Sequence, residues 1–364
     1  MEAQAILQDV FFVTLYGGVT MLNAVAALYL LLRRGNAIAP DVTSPVRVRR
    51  WAAAFMLVTT LSHVLWLLYA GHPSPTAYVV TCGLDIILLI PTISGVMLSM
   101  LQDRHRPVWP VLLLLVPALV LMALSILRGD DVLYVSISIY VIALYALLML
   151  YMFFAVRRYG RWLRDNYADL EHKEIWQSLL ILAVFLLFFI IYSSTSEGRL
   201  VIVYLLQIDS IIIVALLLWR VETLQQLSES NSLAEELAED EQKTAAQPAI
   251  PSSIGPLLKK HCEDGQLYLQ KDLTLVQLAN IIGTNRYYLS QHFAQRGITY
   301  NAYINSLRVR HFINLYHEAV ADQRIFTAQK LAFESGFQSY STFSASFKQN
   351  TGMTVTQWMR NAEE

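Results

Sequence analysis

Four hydrogen-bonding side chains lie close together in the last third of the sequence, at the spacing of a single helix face. Arg286, Tyr287, Ser290 and Gln291 recur at intervals of one and three residues, which places them on the same side of a helix. The opposite side of that helix is apolar. Guanidinium, hydroxyl and amide groups in this arrangement can bind base edges in a major groove and the phosphates that flank it.

A second set of polar side chains follows later in the chain. Tyr340, Ser341 and Ser344 share one side of another helical stretch, whose other side carries Phe343 and Phe347. The same chemistry is available to this second face. Two cations near the two sets are candidates for phosphate contact: Arg308 and Lys348.

An internal repeat explains why the two sets are alike. A shift of 53 residues superposes Thr274 on Thr327 and Gly283 on Gly336. Thr274 predicts a helix N-cap, completed as a capping box by Gln277 three residues on. Gly283 allows the left-handed turn that ends such a helix. A further helix follows each turn, so both copies are predicted to be helix-turn-helix units.

Three motifs run through roughly Pro256 to Arg360: L-A-x-x-x-G-x-x-x-x-Y-L-S-x-x-F, the arginine of SLRVR, and L-A-x-x-S-G-F-x-S-x-S-x-F-S-x-x-F-K-x-x-x-G-M-T. In this order and register they resemble the AraC-type DNA-binding domain. The resemblance implies a bacterial transcription regulator. It also implies that two recognition helices enter successive major-groove segments on one side of the duplex, about 34 Å apart.

Seven apolar runs precede this region, each of about 20 residues or more, which is enough to cross a hydrocarbon core about 30 Å thick. They are Val10–Leu32, Trp51–Ala70, Ala77–Met100, Val108–Leu127, Leu133–Ala155, Trp176–Thr195 and Leu200–Trp219. A mean hydropathy of +0.43 and a hydrophobic share of 55% agree with this interpretation. The lipid bilayer is therefore a predicted partner.

The basic residues of the loops predict the direction of insertion. Arginines follow the first, third and fifth runs, for example Arg33, Arg104 and Arg157, whereas the other loops offer only Arg128 and Arg199. Basic loops mark the cytoplasmic side of a membrane. The N-terminus is thus predicted to lie outside a bacterial inner membrane. After an odd number of crossings, the C-terminal region is predicted to lie in the cytoplasm.

An acidic connector, residues 221–253, joins the last run to the C-terminal region. Arg220 to Ala238 is rich in helix formers, which predicts that the last membrane helix continues into the cytoplasm. Its seam positions are not consistently apolar, so a solvated acidic helix is a better interpretation than a coiled coil. Glu239 to Ser253 has the proline, serine and charge content of a tether.

Polar residues inside the predicted spans are costly in lipid and therefore informative. Five are singled out: Asn23, His63, Asp85, Gln207 and Asp209. Counting from the span ends puts them all between the outer third and the midplane, where they could share a pocket that opens outward. Two interpretations stay open. The residues form a sensory site for a small molecule or a proton, or they hydrogen-bond one another and lock the helix bundle.

The residue pattern gives no evidence for enzymatic activity. His311 and His317 lie six residues apart, a spacing that does not bring two metal ligands to one helix face. Cys82 and Cys262 lie in different environments, so no disulfide is expected. The last span has no lysine for a retinal Schiff base. We predict no enzymatic activity, no catalytic residue, no metal and no cofactor.

Together these patterns predict an all-α protein in three parts. A seven-transmembrane helix bundle occupies residues 1–220, the connector occupies 221–253, and a cytoplasmic all-helical domain with two helix-turn-helix units occupies 254–364. The predicted function is that of a one-component regulator, which senses an envelope or intramembrane signal and binds double-stranded promoter DNA. A small-molecule ligand and a homodimer partner are left open. The alternative is a membrane receptor or carrier with a helical adaptor that does not read DNA, because the C-terminal region is only weakly basic.

Overall fold

The architecture is all-helical in the computed structural model of this chain. The structure describes residues 8–33, 35–128, 133–177, 180–181, 183–184, 200–227 and 254–363. Within those ranges the regular elements are helices, with no strand among them. The chain divides into two units, Met1–Arg158 with Ile175–Leu227 and Tyr159–Glu174 with Ser228–Glu364.

Six long helices begin in the described part of the first unit. They are α1 (Val10–Leu32), α2 (Val46–Gly71), α3 (Pro75–Met100), α4 (Trp109–Arg128), α5 (Tyr134–Asn166) and α6 (Leu200–Thr223). Among the described residues, these 6 helices are long and apolar enough to cross a membrane. They overlap six of the seven predicted spans, and α5 continues to Asn166, beyond the predicted end at Ala155. The remaining one, Trp176–Thr195, lies largely outside the described residues.

Apolar side chains cover the outside of these helices. Phe11, Leu32 and Leu127 are 84%, 77% and 83% exposed, respectively. Extended apolar surface is rare on soluble proteins, but it is the normal surface of a helix that faces lipid. The outward-facing residues therefore agree with a bilayer environment.

The last helix of the first unit, α6, ends at Thr223, earlier than the sequence predicts. The segment after it, residues 224–227, is not helical. Two of its backbone amides donate hydrogen bonds to Thr43 O at 2.7 Å and to Gln102 Oε1 at 2.9 Å. Since these partners replace the bonds of a continuing helix, the predicted continuation is wrong at this point. The rest of the connector, residues 228–253, lies outside the described residues.

Glu222 holds the end of α6 against the loop that follows α1. Its carboxylate accepts hydrogen bonds from the backbone amides of Ala37 and Ile38, both at 2.9 Å, and from the hydroxyl of Tyr29. The residue is 1% exposed. A buried carboxylate is tolerated only with such donors around it, so this contact holds the last turn of α6 against that loop.

The described part of the second unit contains seven further α-helices. They are α7 (Ile254–Leu258), α8 (Leu275–Ile281), α9 (Arg286–Gln295), α10 (Tyr300–Ala321), α11 (Ala328–Glu334), α12 (Tyr340–Thr351) and α13 (Val355–Glu363). Two apolar clusters lie between them. The first contains Leu278, Leu289 and Ile304, and the second contains Phe312 and Phe343. Because the long helix α10 contributes to both clusters, it holds the pair α8 and α9 in a fixed relation to the pair α11 and α12.

Candidate nucleic-acid interface

The first helix pair, α8 and α9, is built by local signals. Thr274 and Gln277 form the predicted capping box at the start of α8. The turn after α8 contains Gly283 with φ +75°, a conformation that glycine adopts without steric cost. Asn285 then caps α9, where its side chain accepts a hydrogen bond from Tyr288 N at 2.9 Å. These local signals end α8 and begin α9.

The second helix pair, α11 and α12, repeats the arrangement. Thr327 caps α11 and Ser339 caps α12, each through its side-chain oxygen. Gly336, in the turn between them, has φ +94°. Phe343 is fully buried and packs against Phe312 of α10, with ring centroids 4.5 Å apart. Aromatic packing of this kind fixes the orientation of α12 on α10.

Arg308 does not lie on the surface as predicted. It is 0% exposed, and its guanidinium donates to the backbone oxygens of Tyr268 and Gln270, both at 2.8 Å. The assignment of Arg308 as a phosphate contact is therefore corrected, because its donors are used inside the unit. Its role is to hold the loop before α8 against α10.

The other predicted contact residues lie at or near the surface of α9 and α12. Tyr340, Ser341 and Lys348 are exposed, whereas Ser344 is half-buried. The four residues on α9 are also half-buried: Arg286, Tyr287, Ser290 and Gln291. Within α9 the amide of Gln291 donates to the hydroxyl of Tyr287 at 2.8 Å. Each helix thus presents polar side chains along one side.

A stretch from outside the predicted domain, Asp165–Glu171, packs against both of these helices, and we call it the acidic segment. Three of its side chains accept hydrogen bonds from the first turns of α9 and α12: Asn166 Oδ1 from Arg286 Nε (2.9 Å), Asp169 Oδ1 from Thr342 Oγ1 (3.2 Å) and Glu171 Oε1 from Ser341 Oγ (3.5 Å). Sequence reasoning missed these residues. The only signal was a group of acids in a loop otherwise rich in arginine.

The backbone of the acidic segment is anchored in the unit. Ala168 is 1% exposed and belongs to the first apolar cluster. Its carbonyl accepts from the side-chain amides of Asn301 at 2.5 Å and Asn305 at 3.0 Å. Tyr167 pairs with Thr274 in an isolated antiparallel bridge. The segment is therefore part of the packed unit, rather than a loop that only touches it.

Asp169 interacts electrostatically with two buried cations, Lys173 and Arg308. Lys173 is 5% and Arg308 0% exposed. Desolvation by burial lowers the pKa of each, and the Asp169 carboxylate is among the groups that oppose this pKa shift. The carboxylate thus compensates positive charge that would otherwise be buried alone.

The predicted sensory residues of α2 and α3 have partners in the first unit. The hydroxyl of Tyr16 donates to the backbone oxygen of His63 at 2.6 Å, and their rings lie 4.8 Å apart. The carboxylate of Asp85 accepts from Trp66 Nε1 at 2.7 Å. These contacts join the first three helices.

The remaining sensory candidates lie on α1 and α6. Asn23 is 1% exposed and donates through Nδ2 to Ser210 Oγ at 3.2 Å. Gln207 is 3% exposed. Within the described residues, no hydrogen bond connects Asp209 to Asp85 or His63. The five candidates thus do not form one hydrogen-bonded group in the part of the chain that the structure describes.

Comparison with known families identifies the C-terminal region. Residues 278–361 match a family model described as a helix-turn-helix domain. This region therefore carries a helix-turn-helix DNA-binding domain, and the apolar helices that could be membrane spans precede it. The domain is of the AraC type, as the sequence motifs indicated. No curated protein and no solved structure matched the chain.

Proposed function

We propose that this protein is a membrane-bound transcription regulator that reads promoter DNA with α9 and α12. The match of residues 278–361 to a helix-turn-helix domain carries the proposal. The polar sides of the two helices supply the chemistry that base edges and phosphates require. Both helices begin with capped first turns, whose backbone amides favour an anionic partner.

Both helix pairs are proposed to take part in binding. They share the repeat, the caps and the glycine turn, and α10 packs against both. Two recognition helices held in this way would meet successive major-groove segments, about 34 Å apart along one side of the duplex. A second copy of the chain would double these contacts. We therefore also propose that the protein dimerises on DNA.

The test is footprinting with the full chain in nanodiscs, on duplexes selected from a random library of about 40 bp, which holds two turns and their flanks. Arg286→Ala with Gln291→Ala should abolish specific protection, since a bidentate base contact contributes about 1–3 kcal/mol. Gln295→Ala, on an exposed position at the far end of α9, is the matched control. Undiminished protection by the double variant would contradict the assignment of α9.

The location of the DNA-binding unit is proposed to be cytoplasmic, with seven spans before it. Residues 159–174 belong to the same unit as the C-terminal helices, so both must lie on one side of the membrane. An even number of crossings must then separate them. Since α6 is one crossing, the parity supports a second one in residues 175–199, where the apolar run Trp176–Thr195 lies. Seven crossings would leave the N-terminus outside.

The membrane part is proposed to sense a signal through its polar residues. Buried oxygens of Asn23 and Gln207 lack a hydrogen-bond partner among the described residues, and such atoms favour a polar ligand or a proton relay inside a bundle. If the polar residues only lock the bundle, His63→Ala should lower stability and leave the signal response unchanged. Loss of the response, measured by a promoter reporter with protein levels held equal, supports sensing.

The competing function is a membrane receptor or carrier with an adaptor that does not read DNA. The weak net positive charge of the C-terminal region is the feature that favours this alternative, because DNA-binding domains are usually strongly basic. Selection of duplexes by the full chain decides between the two classes, because an adaptor would enrich no sequence over repeated rounds.

A further inference from the structure

The acidic segment occupies the positions on α9 and α12 that DNA would need. Its side chains accept hydrogen bonds from Arg286, Ser341 and Thr342. Arg286 is the first residue of α9, and Ser341 and Thr342 lie in the first turn of α12. First-turn side chains and amides of recognition helices are where phosphates and base edges approach.

Two of the three acceptors are carboxylates, which resemble phosphate in charge and in hydrogen bonding. Asp169 and Glu171 offer anionic oxygens to hydroxyl donors at 3.2 and 3.5 Å. A phosphate group at the same donors would meet these carboxylates, and like charges at contact distance repel. The acidic segment and the DNA backbone therefore cannot use the first turn of α12 at the same time.

The segment is also connected to the membrane part by a single helix. α5 runs without interruption from Tyr134 to Asn166, and the acidic segment begins in its last two residues. A helix is stiff over this length, so a shift or rotation of α5 acts directly on Asn166. The chain thus contains a continuous element from an apolar span to the DNA-reading face.

We propose that the acidic segment is an internal competitor of DNA: docked on α9 and α12 it prevents binding, and movement of α5 releases it. The inference rests on the proposed DNA-binding function and adds its regulation. The state described in this structure is the closed one. A signal received by the membrane part would open it by moving the whole acidic segment off both helices, which breaks the hydrogen bonds of Ala168 with Asn301 and Asn305 and exposes the first turns of α9 and α12.

The first test weakens the contact between the acidic segment and α12. It uses the full chain in nanodiscs, and the probe is a duplex selected from the random library of about 40 bp. Glu171→Gln and Asp169→Asn should each tighten DNA binding on the order of five- to tenfold, the lower range of known couplings between sites. Glu318→Gln removes the same charge from an exposed position on α10 and reports the general effect of charge on DNA affinity. A gain no larger than that of the control would overturn the proposal.

The second test does not depend on how well the Asp169 variant folds. Glu171→Cys with Ser341→Cys allows a short, reducible bis-methanethiosulfonate to join the segment to α12. The linked protein should bind DNA clearly more weakly than the same sample after reduction, and this comparison within one variant does not require Ser341→Cys to bind as tightly as the natural chain. Singly substituted chains and the natural chain, which has Cys82 and Cys262, control for other thiol reactions.

The outcomes distinguish a failure of the competitor from a failure of DNA binding. If the linked and reduced forms bind DNA equally, or if no link forms, the competitor is rejected while DNA binding stands. If neither the reduced protein nor any variant enriches or binds a duplex, the DNA-binding function itself fails, and the regulation proposed for it fails with it.

Discussion

Arg308 has the largest fully buried side chain within the described part of the chain, and its surroundings explain why a charge is stable there. The guanidinium donates to the carbonyls of Tyr268 and Gln270 and lies over the ring of Phe337, 5.7 Å from the centroid. These donors and acceptors satisfy one another, so removing the arginine leaves several buried carbonyls without a partner.

Arg308→Ala is therefore expected to destabilise the second unit by about 3–5 kcal/mol, the cost typical of breaking a buried, hydrogen-bonded charge. Hydrogen exchange of the α10 amides in the full chain measures this loss. Arg310→Ala, an exposed arginine on the same helix, should change exchange little. Equal protection in the two variants would show that Arg308 has no structural role.

Glu222 illustrates the same principle at the end of α6. Its carboxylate is the acceptor for the amides of Ala37 and Ile38, and hydrogen bonds to a charged group contribute about 1.5–3 kcal/mol each. Glu222→Ala should speed hydrogen exchange at those two amides. Asp41→Asn, in the same loop but exposed, is the control, and unchanged exchange in the Glu222 variant would contradict the contact.

At the scale of elements, the two glycine turns occupy equivalent places in the repeat but differ in their surroundings. A Cβ on Gly336 would lie 2.9 Å from Leu269 Cα and 3.1 Å from Tyr268 O, whereas no atom of the described residues lies within 4 Å of a Cβ on Gly283. The backbone of the second turn is thus packed against the 3-10 turn Leu267–Leu269. The first turn has no such neighbour in the part of the chain that the structure describes.

Gly283→Ala should therefore cost about 1–2 kcal/mol, the cost of a left-handed conformation for an L-residue. Gly336→Ala should cost clearly more, because main-chain atoms must also move. The two variants are matched controls for each other. Their stability is compared by thermal unfolding of the full chain, followed through hydrogen exchange of the α9 amides for Gly283→Ala and of the α12 amides for Gly336→Ala. Equal losses would mean that the second turn can relax freely.

Local signals were readable from the sequence, whereas distant partners were not. The capping box of Thr274 and Gln277 depends on residues three apart and was predicted correctly. The early end of α6 depends on Thr43 and Gln102, which lie far away in the chain. Arg308 was misassigned for the same reason, because the sequence alone does not distinguish a helical arginine that binds buried carbonyls from one that faces solvent.

At the scale of the whole molecule, the candidate DNA interface is assembled from two parts of the chain that an apolar run and α6 separate. The motifs of α9 and α12 point to the side chains proposed to read DNA, but no motif points to the acidic segment that contacts them. The segment is found only because Ala168 packs among the core residues of the second unit. The proposed regulation by this segment therefore follows from the three-dimensional structure rather than from a sequence motif.

The functions proposed for α9, α12 and the acidic segment depend on the direction in which the chain is inserted into the membrane. This direction has a direct test. His72 and Arg104 are exposed, and they lie in the loops after α2 and α3, on opposite sides of the membrane if seven spans place the N-terminus outside. With intact, outer-stripped cells, a membrane-impermeant maleimide should label His72→Cys and spare Arg104→Cys. Permeabilised cells should label both, and the natural chain gives the background of its own two thiols. The reverse pattern would place α9 and α12 on the side that holds no DNA, where neither the reading helices nor the acidic segment could act.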